Sequence, residues 1–177
     1  QNKIVDIIRS VDNLIEKRKQ QLRKLDELVK SRFVEMFGDP LNSSKKWETV
    51  LVGDVCFVTK LAGFEYTNYI NYKEKGDVIM VRGLNVKDGH LKLNDIYWID
   101  EKTSNLLPRS QLRENDIVMT YVGVNIGDVA LVDGKYRYHL APNVAKISPY
   151  LDSNLNPVFF VNLLAYNKDN FAGNATN

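Results

Sequence analysis

Apolar residues recur in alternating steps of three and four through the first forty positions. They are Ile4, Ile8, Val11, Ile15, Leu22, Leu25, Val29 and Met36, widened by Ile7, Leu14 and Leu28. That period keeps one side of an α-helix apolar for about five heptads. The run ends at Gly38-Asp39-Pro40, where glycine can adopt a left-handed cap and proline cannot continue a helix. A helix of about 34 residues, at about 1.5 Å per residue, is roughly 50 Å long. A domain of this size does not need such a length inside itself, so the spacing predicts a projecting helix that carries a partner.

With Ile8, Ile15, Leu22, Val29 and Met36 at heptad position a, position d holds Ile4, Val11, Arg18, Leu25 and Arg32. Helix pairing is expected through Ile8, Ile15, Leu22, Leu25 and Val29. The two arginines at d count against a long symmetric coiled coil, because buried charge is costly unless it is paired. An antiparallel helix supplying acidic groups accommodates them better. The alternative is a helix lying on its own domain, with the arginine heads reaching out to water.

From Trp47 the pattern changes to short runs rich in Val, Ile and Tyr. The expected strands are Val50–Val58, Val78–Arg82, Ile96–Ile99, Ile117–Val122, Val129–Val132 and Val144–Ile147, punctuated by Gly, Asp and Asn. Asp133-Gly134 is a strong hairpin signal between Val129–Val132 and Tyr136–Tyr138. Asn156–Asn167 reads as a helix starting after Pro157. The predicted fold class is α+β: a long coiled-coil-type helix over residues 1–40, then a globular domain over 41–177 with a curved, mostly antiparallel sheet.

Composition narrows the function classes. A single cysteine, Cys56, excludes a disulfide framework and a cysteine-based zinc site, and an intracellular, cytoplasmic setting is expected. No apolar run approaches the roughly 18 residues of a membrane span, so no membrane partner is expected. The net charge of +2 is uneven: residues 1–37 carry nine Lys/Arg against six Asp/Glu, and the remainder fifteen against sixteen. A globular part without excess positive charge cannot bind nucleic acid by bulk charge, and any such binding must rest on a local patch.

Catalytic patterns are sparse. No Gly-x-Gly-x-x-Gly or Walker loop is present, so no phosphate cradle is evident. Asn156-Pro157-Val158-Phe159 falls short of the amino-methyltransferase tetrapeptide (Asn/Asp)-Pro-Pro-(Tyr/Phe), because it lacks the second proline. Asp116 with Asp133-Gly134-Lys135 could be drawn as a metal-nuclease set, two carboxylates for the metal and a lysine for the attacking water. The hairpin reading of Asp-Gly competes with it directly. His90 and His139 have no Ser or Cys partner at a telling spacing. The chain is expected to be non-catalytic and to need no cofactor of its own.

Two blocks carry a resemblance to a known family. Ile15-Glu16-Lys17-Arg18-Lys19-Gln20-Gln21-Leu22 and Leu25 through Pro40, ending Phe37-Gly38-Asp39-Pro40, resemble the conserved long helix of type I restriction–modification specificity (S) subunits. Gly53-Asp54-Val55, Val81 through Val86, Leu112 through Thr120, Gly123–Gly127 and Gly173 through Asn177 are similar to phrases of that family's target-recognition domains. The resemblance covers essentially the whole chain, and its helix segment is the specific part. It implies a module that reads one half of a bipartite double-stranded DNA site while its helix sets the spacing. The implied partners are modification (M) subunits, which methylate adenine with S-adenosylmethionine, and through them restriction (R) subunits that cleave with ATP. Only one recognition domain is present. A piece of a longer subunit or a self-associating half-subunit is therefore expected, with the domain cut short at its C-terminal end. The other readings are a stand-alone coiled-coil dimeric DNA-binding regulator and a metal-dependent nuclease.

Reading bases requires donors such as Arg, Asn or Gln on loops over a rigid sheet. Lys135-Tyr136-Arg137-Tyr138-His139, followed by Asn143, is the densest stretch, and on a strand Lys135, Arg137 and His139 would share a face. Lys60 and Phe64 lie in a second glycine-containing loop. Arg82 and Asn85 follow an apolar strand, with Gly83 permitting close backbone approach. Tyr121 and Asn125 belong to a third loop, and Asn174 and Thr176 are polar and terminal. Lys45 and Lys46, at the junction of helix and domain, are better placed for phosphate than for bases.

Overall fold

The computed structural model describes residues 2–40, 42 and 47–173. Lys45, Lys46, Asn174 and Thr176 therefore lie outside the described residues. The chain divides into two units, Gln1–Glu48 and Thr49–Asn177.

The first unit is built on one continuous helix, α1 (Asn2–Phe37). Its apolar stripe, including Ile8, Ile15, Leu22, Leu25 and Val29, is solvent-exposed. The helix stops where its sequence predicts: Gly38 takes φ +84°, and its N–H bonds the Val34 carbonyl at 2.8 Å. Arginines 18 and 32 find partners on their own helix. Arg18 donates to Gln21 Oε1 at 3.0 Å, and Arg32 pairs with Glu35 one turn on at 2.7 Å. The acidic partner expected from a second helix is thus supplied locally to Arg32.

The second unit runs α2 (Val52–Val55), β1 (Cys56–Lys60), α3 (Gly63–Tyr69), β2 (Val78–Val81), β3 (Val86–Lys87), β4 (Gly89–Leu91) and β5 (Tyr97–Ile99). It continues with α4 (Glu101–Leu106), β6 (Gln111–Leu112), β7 (Ile117–Thr120), β8 (Val129–Leu131), β9 (Tyr138–Leu140), β10 (Val144–Pro149), α5 (Pro157–Tyr166) and α6 (Lys168–Gly173). The strands form two sheets, ordered β1-β10-β7-β8-β4-β3 and β5-β2-β9-β6. Every pairing is antiparallel except β4 with β8 and β2 with β9. The mostly antiparallel character holds, but the expected single curved sheet is two.

The main core lies between the sheets. Val118, Ala130, Val132 and Val144 from one meet Ile79, Val81, Leu112, Tyr138 and Leu140 from the other. The opposite face of the larger sheet, with Cys56, Ile117, Val129 and Ile147, is covered by Phe160, Val161 and Leu164 of α5. Two-sided burial explains why β7 and β8 read as unbroken apolar runs rather than alternating ones. Lys146 is buried alongside and donates to the Gln111 carbonyl at 2.8 Å.

Two expectations fail locally. Val50–Val58 is not one strand: residues 52–55 coil into a helical turn, and β1 begins at Cys56 and runs two residues further than expected, to Lys60. Asp133-Gly134 does not close a hairpin, because β8 and β9 belong to different sheets. The turn chemistry itself is present. Gly134 sits at φ +66°, and Asp133 Oδ1 accepts from Lys135 N–H at 3.1 Å and from the Tyr138 hydroxyl at 2.8 Å. The turn passes the chain from one sheet to the other. The helix predicted over 156–167 forms as α5, with Asn156 Oδ1 accepting from the N–H groups of Val158 and Phe159 at 2.9 and 3.0 Å.

Candidate nucleic-acid interface

The parallel pairing of β2 and β9 sets their C-terminal ends side by side, and Ala141 N–H bonds the Val81 carbonyl at 3.0 Å. The segment leaving β9 then meets the segment leaving β7: Tyr121 N–H bonds the Asn143 carbonyl at 3.0 Å. Three strand ends therefore converge where the gap between the sheets opens, and with Tyr66 of α3 and Tyr72 they enclose a cleft of about 380 Å³. Arg82, Gly83 and Leu84 line it after β2; Thr120, Val122, Gly123, Val124 and Asn125 at and after β7; Ala141, Pro142 and Asn143 after β9. The loops hold their shape through backbone that favours particular residues: Gly123 at φ +105°, and Asn143 at φ +70°, which asparagine tolerates better than most.

An aromatic ladder backs the cleft. The rings of Tyr66 and Tyr72 lie 6.0 Å apart, and Tyr72 stacks on Tyr97 at 5.4 Å. The Arg82 guanidinium covers Tyr97 at 4.5 Å, while its Nη2 donates to the Asp95 carbonyl at 2.8 Å and pairs with the Asp95 carboxylate at 3.1 Å. Burial, followed by the neighbouring Tyr66, pushes the Tyr72 hydroxyl up to about 12, against an opposing pull from Arg82. Tyr72 is a neutral hydroxyl throughout the physiological range. Two polar atoms of residues that line the cleft, Arg82 Nε and Thr120 Oγ1, are buried without a hydrogen-bond partner. Thr120 shares the face of Val118 two residues before it on β7, which directs its side chain into the gap between the sheets.

Of the residues singled out from sequence, Arg82, Asn125 and Asn143 meet in this cleft. Lys60 and Tyr121 meet each other beside it, with the ammonium 5.3 Å from the ring centre. Phe64 is exposed on α3, the helix that contributes Tyr66. The others do not join them. Arg137 precedes β9, at the opposite end of that strand from Ala141, and is held by the Glu101 carboxylate and by Asn105 Oδ1. Arg137 lines a separate hollow of about 260 Å³ with Tyr136 and Gln111. Lys135 is exposed next to it, with Asp133 Oδ2 3.3 Å from its ammonium.

Tyr138, His139 and Asn85 are corrected. All three are buried, so none presents its side chain to a groove. β9 is an interior strand covered on both faces, and the expected shared face of Lys135, Arg137 and His139 does not form because the strand begins only at Tyr138. Burial holds the His139 imidazole below its ordinary value, against the pull of nearby backbone carbonyls. Asn85 is a brace: Oδ1 accepts from Arg82 N–H at 3.1 Å, and Nδ2 donates to the carbonyls of Lys92 and Asp95 at 2.9 and 2.8 Å. The carboxylates of the nuclease reading are engaged in separate turns. Asp116 accepts from Arg113 N–H at 2.7 Å and from the Ser148 hydroxyl at 2.5 Å, and is buried. Among the described residues, no group of three or more His, Cys, Asp or Glu is placed to hold a metal ion. Nor is any described helix long and apolar enough to cross a membrane.

Sequence reasoning missed Tyr72, Tyr97 and Thr120, which sit in or next to apolar runs and carry no motif. It also missed Leu84, Val122 and Val124, large apolar residues exposed at the rim. Their signal was visible: large apolar residues flanking a glycine in a polar loop.

No protein-family model matches the chain. Over 75 residues it is 33% identical to the type I restriction enzyme EcoBI specificity subunit of Escherichia coli, a stretch that covers 42% of this chain and 16% of that protein. The fold matches the crystal structure of the HsdS subunit from Thermoanaerobacter tengcongensis with a TM-score of 0.56 at 15% identity, over 99% of this chain and 41% of that one. A chain from a structure describing complex assembly and conformational transition of the type I R-M system matches with a TM-score of 0.60 at 17% identity, over 97% and 42%. The chain thus spans less than half the length of each of these three proteins.

Proposed function

We propose that this chain is the spacer helix and one target-recognition domain of a type I restriction–modification specificity subunit, and that it reads one half of a bipartite site in double-stranded DNA. The observation that carries this reading is the joint likeness of helix and domain: the match to the HsdS fold runs over 99% of the chain, from α1 through both sheets. The stretch of 33% identity to the EcoBI specificity subunit supports the same reading from sequence. The exposed stripe of α1 then takes a second helix, from the remainder of a longer subunit or from another copy. The cleft rimmed by Arg82, Asn125 and Asn143 faces the DNA, with Lys60 beside it for phosphate. M subunits dock on the assembly and supply the methyl-transfer chemistry, R subunits act through them, and the chain itself performs no chemical step.

Expression with and without a cognate M subunit tests this, with methylated adenines mapped by single-molecule sequencing. A two-part motif methylated only when both proteins are present is the expected result. No adenine methylation with any M partner, together with a footprint on a palindromic operator, would replace this reading with that of a dimeric regulator.

A further inference from the structure

A base edge lying in a groove of intact duplex is recessed between the strands and cannot enter a concavity on the protein. Whatever fills the cleft between the ends of β2, β7 and β9 must protrude from the DNA, which leaves a backbone phosphate or a base swung out of the stack. The cleft disfavours phosphate. Arg82 is the only charged residue among those lining it, and that guanidinium is already neutralised by Asp95 at 3.1 Å and laid across Tyr97. The walls instead offer flat apolar surface from Tyr66, Tyr72 and Pro142. Beneath the lining lie a hydroxyl and an N–H, Thr120 Oγ1 and Arg82 Nε, both shielded from solvent and unpaired within the protein. A buried polar atom without a partner is destabilising, and a hydrogen-bonding ligand relieves that cost. Thr120 is 2% exposed and its hydroxyl is shielded from solvent by the residues around it, so a base reaches it by pressing the lining side chains apart.

We propose that this cleft is a pocket for a single nucleobase turned out of the duplex, held between tyrosine and proline walls and hydrogen-bonded by Thr120 Oγ1 and Arg82 Nε. The inference rests on the DNA-reading function proposed above and adds a step to it. Gly83 keeps the floor open, since a methyl at that position would lie 3.3 Å from Thr120 Cγ2. The neighbouring loop carries Val122, half-exposed, and Val124, fully in solvent, at the rim, apolar side chains of the kind that fill the gap left in a stack when a base departs. Unstacking costs a few kcal/mol and is cheapest where the base has no partner to lose.

That dependence gives the test. The full chain is titrated with duplexes carrying the half-site mapped by methylation, either fully paired or with an abasic site opposite each position in turn. At one position the unpaired duplex should bind about tenfold more tightly than the paired one. Thr120→Val, which keeps the shape and removes the hydroxyl, and Gly83→Ala, which narrows the floor, should both abolish that preference. Thr120→Ser should retain it. Equal affinity of the unaltered chain for all duplexes overturns the pocket while leaving DNA reading intact. A preference that persists in Thr120→Val and Gly83→Ala also overturns it, because the preference then reflects easier bending of the interrupted duplex. Failure to bind any duplex removes both the pocket and the function on which it rests.

Discussion

Asn85 and Asn143 are the same residue type in opposite employment. Asn85 uses its amide oxygen and both N–H donors inside the fold, whereas Asn143 holds a left-handed turn and lines the cleft. Nothing local in the sequence separates them, because a carboxamide suits a base edge and a backbone brace equally well. Asn125, also in the cleft, gives the cleaner test of base reading because its backbone φ is not left-handed. Asn125→Ala should weaken binding to the specific site by about 1–3 kcal/mol and relax the preference at one base pair. Titration against single-base variants of the site checks this, and an unchanged preference at every position would remove Asn125 from the interface. His139 belongs to stability rather than recognition. Its native pKa is held below the ordinary 6.5, so above that pH both folded and unfolded chains are neutral there. As the pH falls through 6.5, the unfolded chain takes up a proton that the native state resists, and stability declines until the native pKa is reached. Urea midpoints should therefore drop between pH 8 and pH 5.5, and His139→Gln should flatten that slope.

At the scale of elements, periodicity made α1 and α5 legible almost to the residue, and the apolar runs located β2, β7, β8 and β10. What the pattern could not supply was pairing. Asp133-Gly134 has the chemistry of a tight turn, yet β9 leaves it to pair with β2 and β6, because Tyr138 and Leu140 bury their side chains against the partner sheet. That single change of sheet moved Arg137 away from the cleft and carried Ala141–Asn143 into it. The stripe on α1 has a direct test. Leu22→Glu places a carboxylate in the middle of the a line and should shift the chain to a smaller species in sedimentation velocity. An unchanged oligomer would mean that the stripe does not mediate association. Arg32, paired with Glu35 on its own helix, does not oppose that association by lacking a partner.

For the whole molecule, the expectation of a long helix followed by an α+β fold matches the architecture found, and the candidate site was half legible. Loop residues after strands could be named from sequence, but their convergence depends on the parallel pairing of β2 with β9, which joins segments nearly sixty residues apart. Aromatic residues backing the cleft were invisible for the same reason. The order of the larger sheet carries a consequence for how the protein is made. Its edge strand β1, formed early in the chain, has β10 as its neighbour, so Cys56 pairs with Pro149. Contacts so distant in sequence form late, since the loop between them must close first. On the ribosome, α1 and β1 emerge well before the strand that completes their sheet. Until then the nascent chain displays both the apolar stripe of α1 and an unpaired strand edge. Arrested chains ending near residue 130 should accordingly be protease-sensitive across the second unit, and chains extended beyond residue 167 outside the exit tunnel should become resistant. Synthesis thus leaves an interval in which the apolar stripe is displayed before the cleft exists.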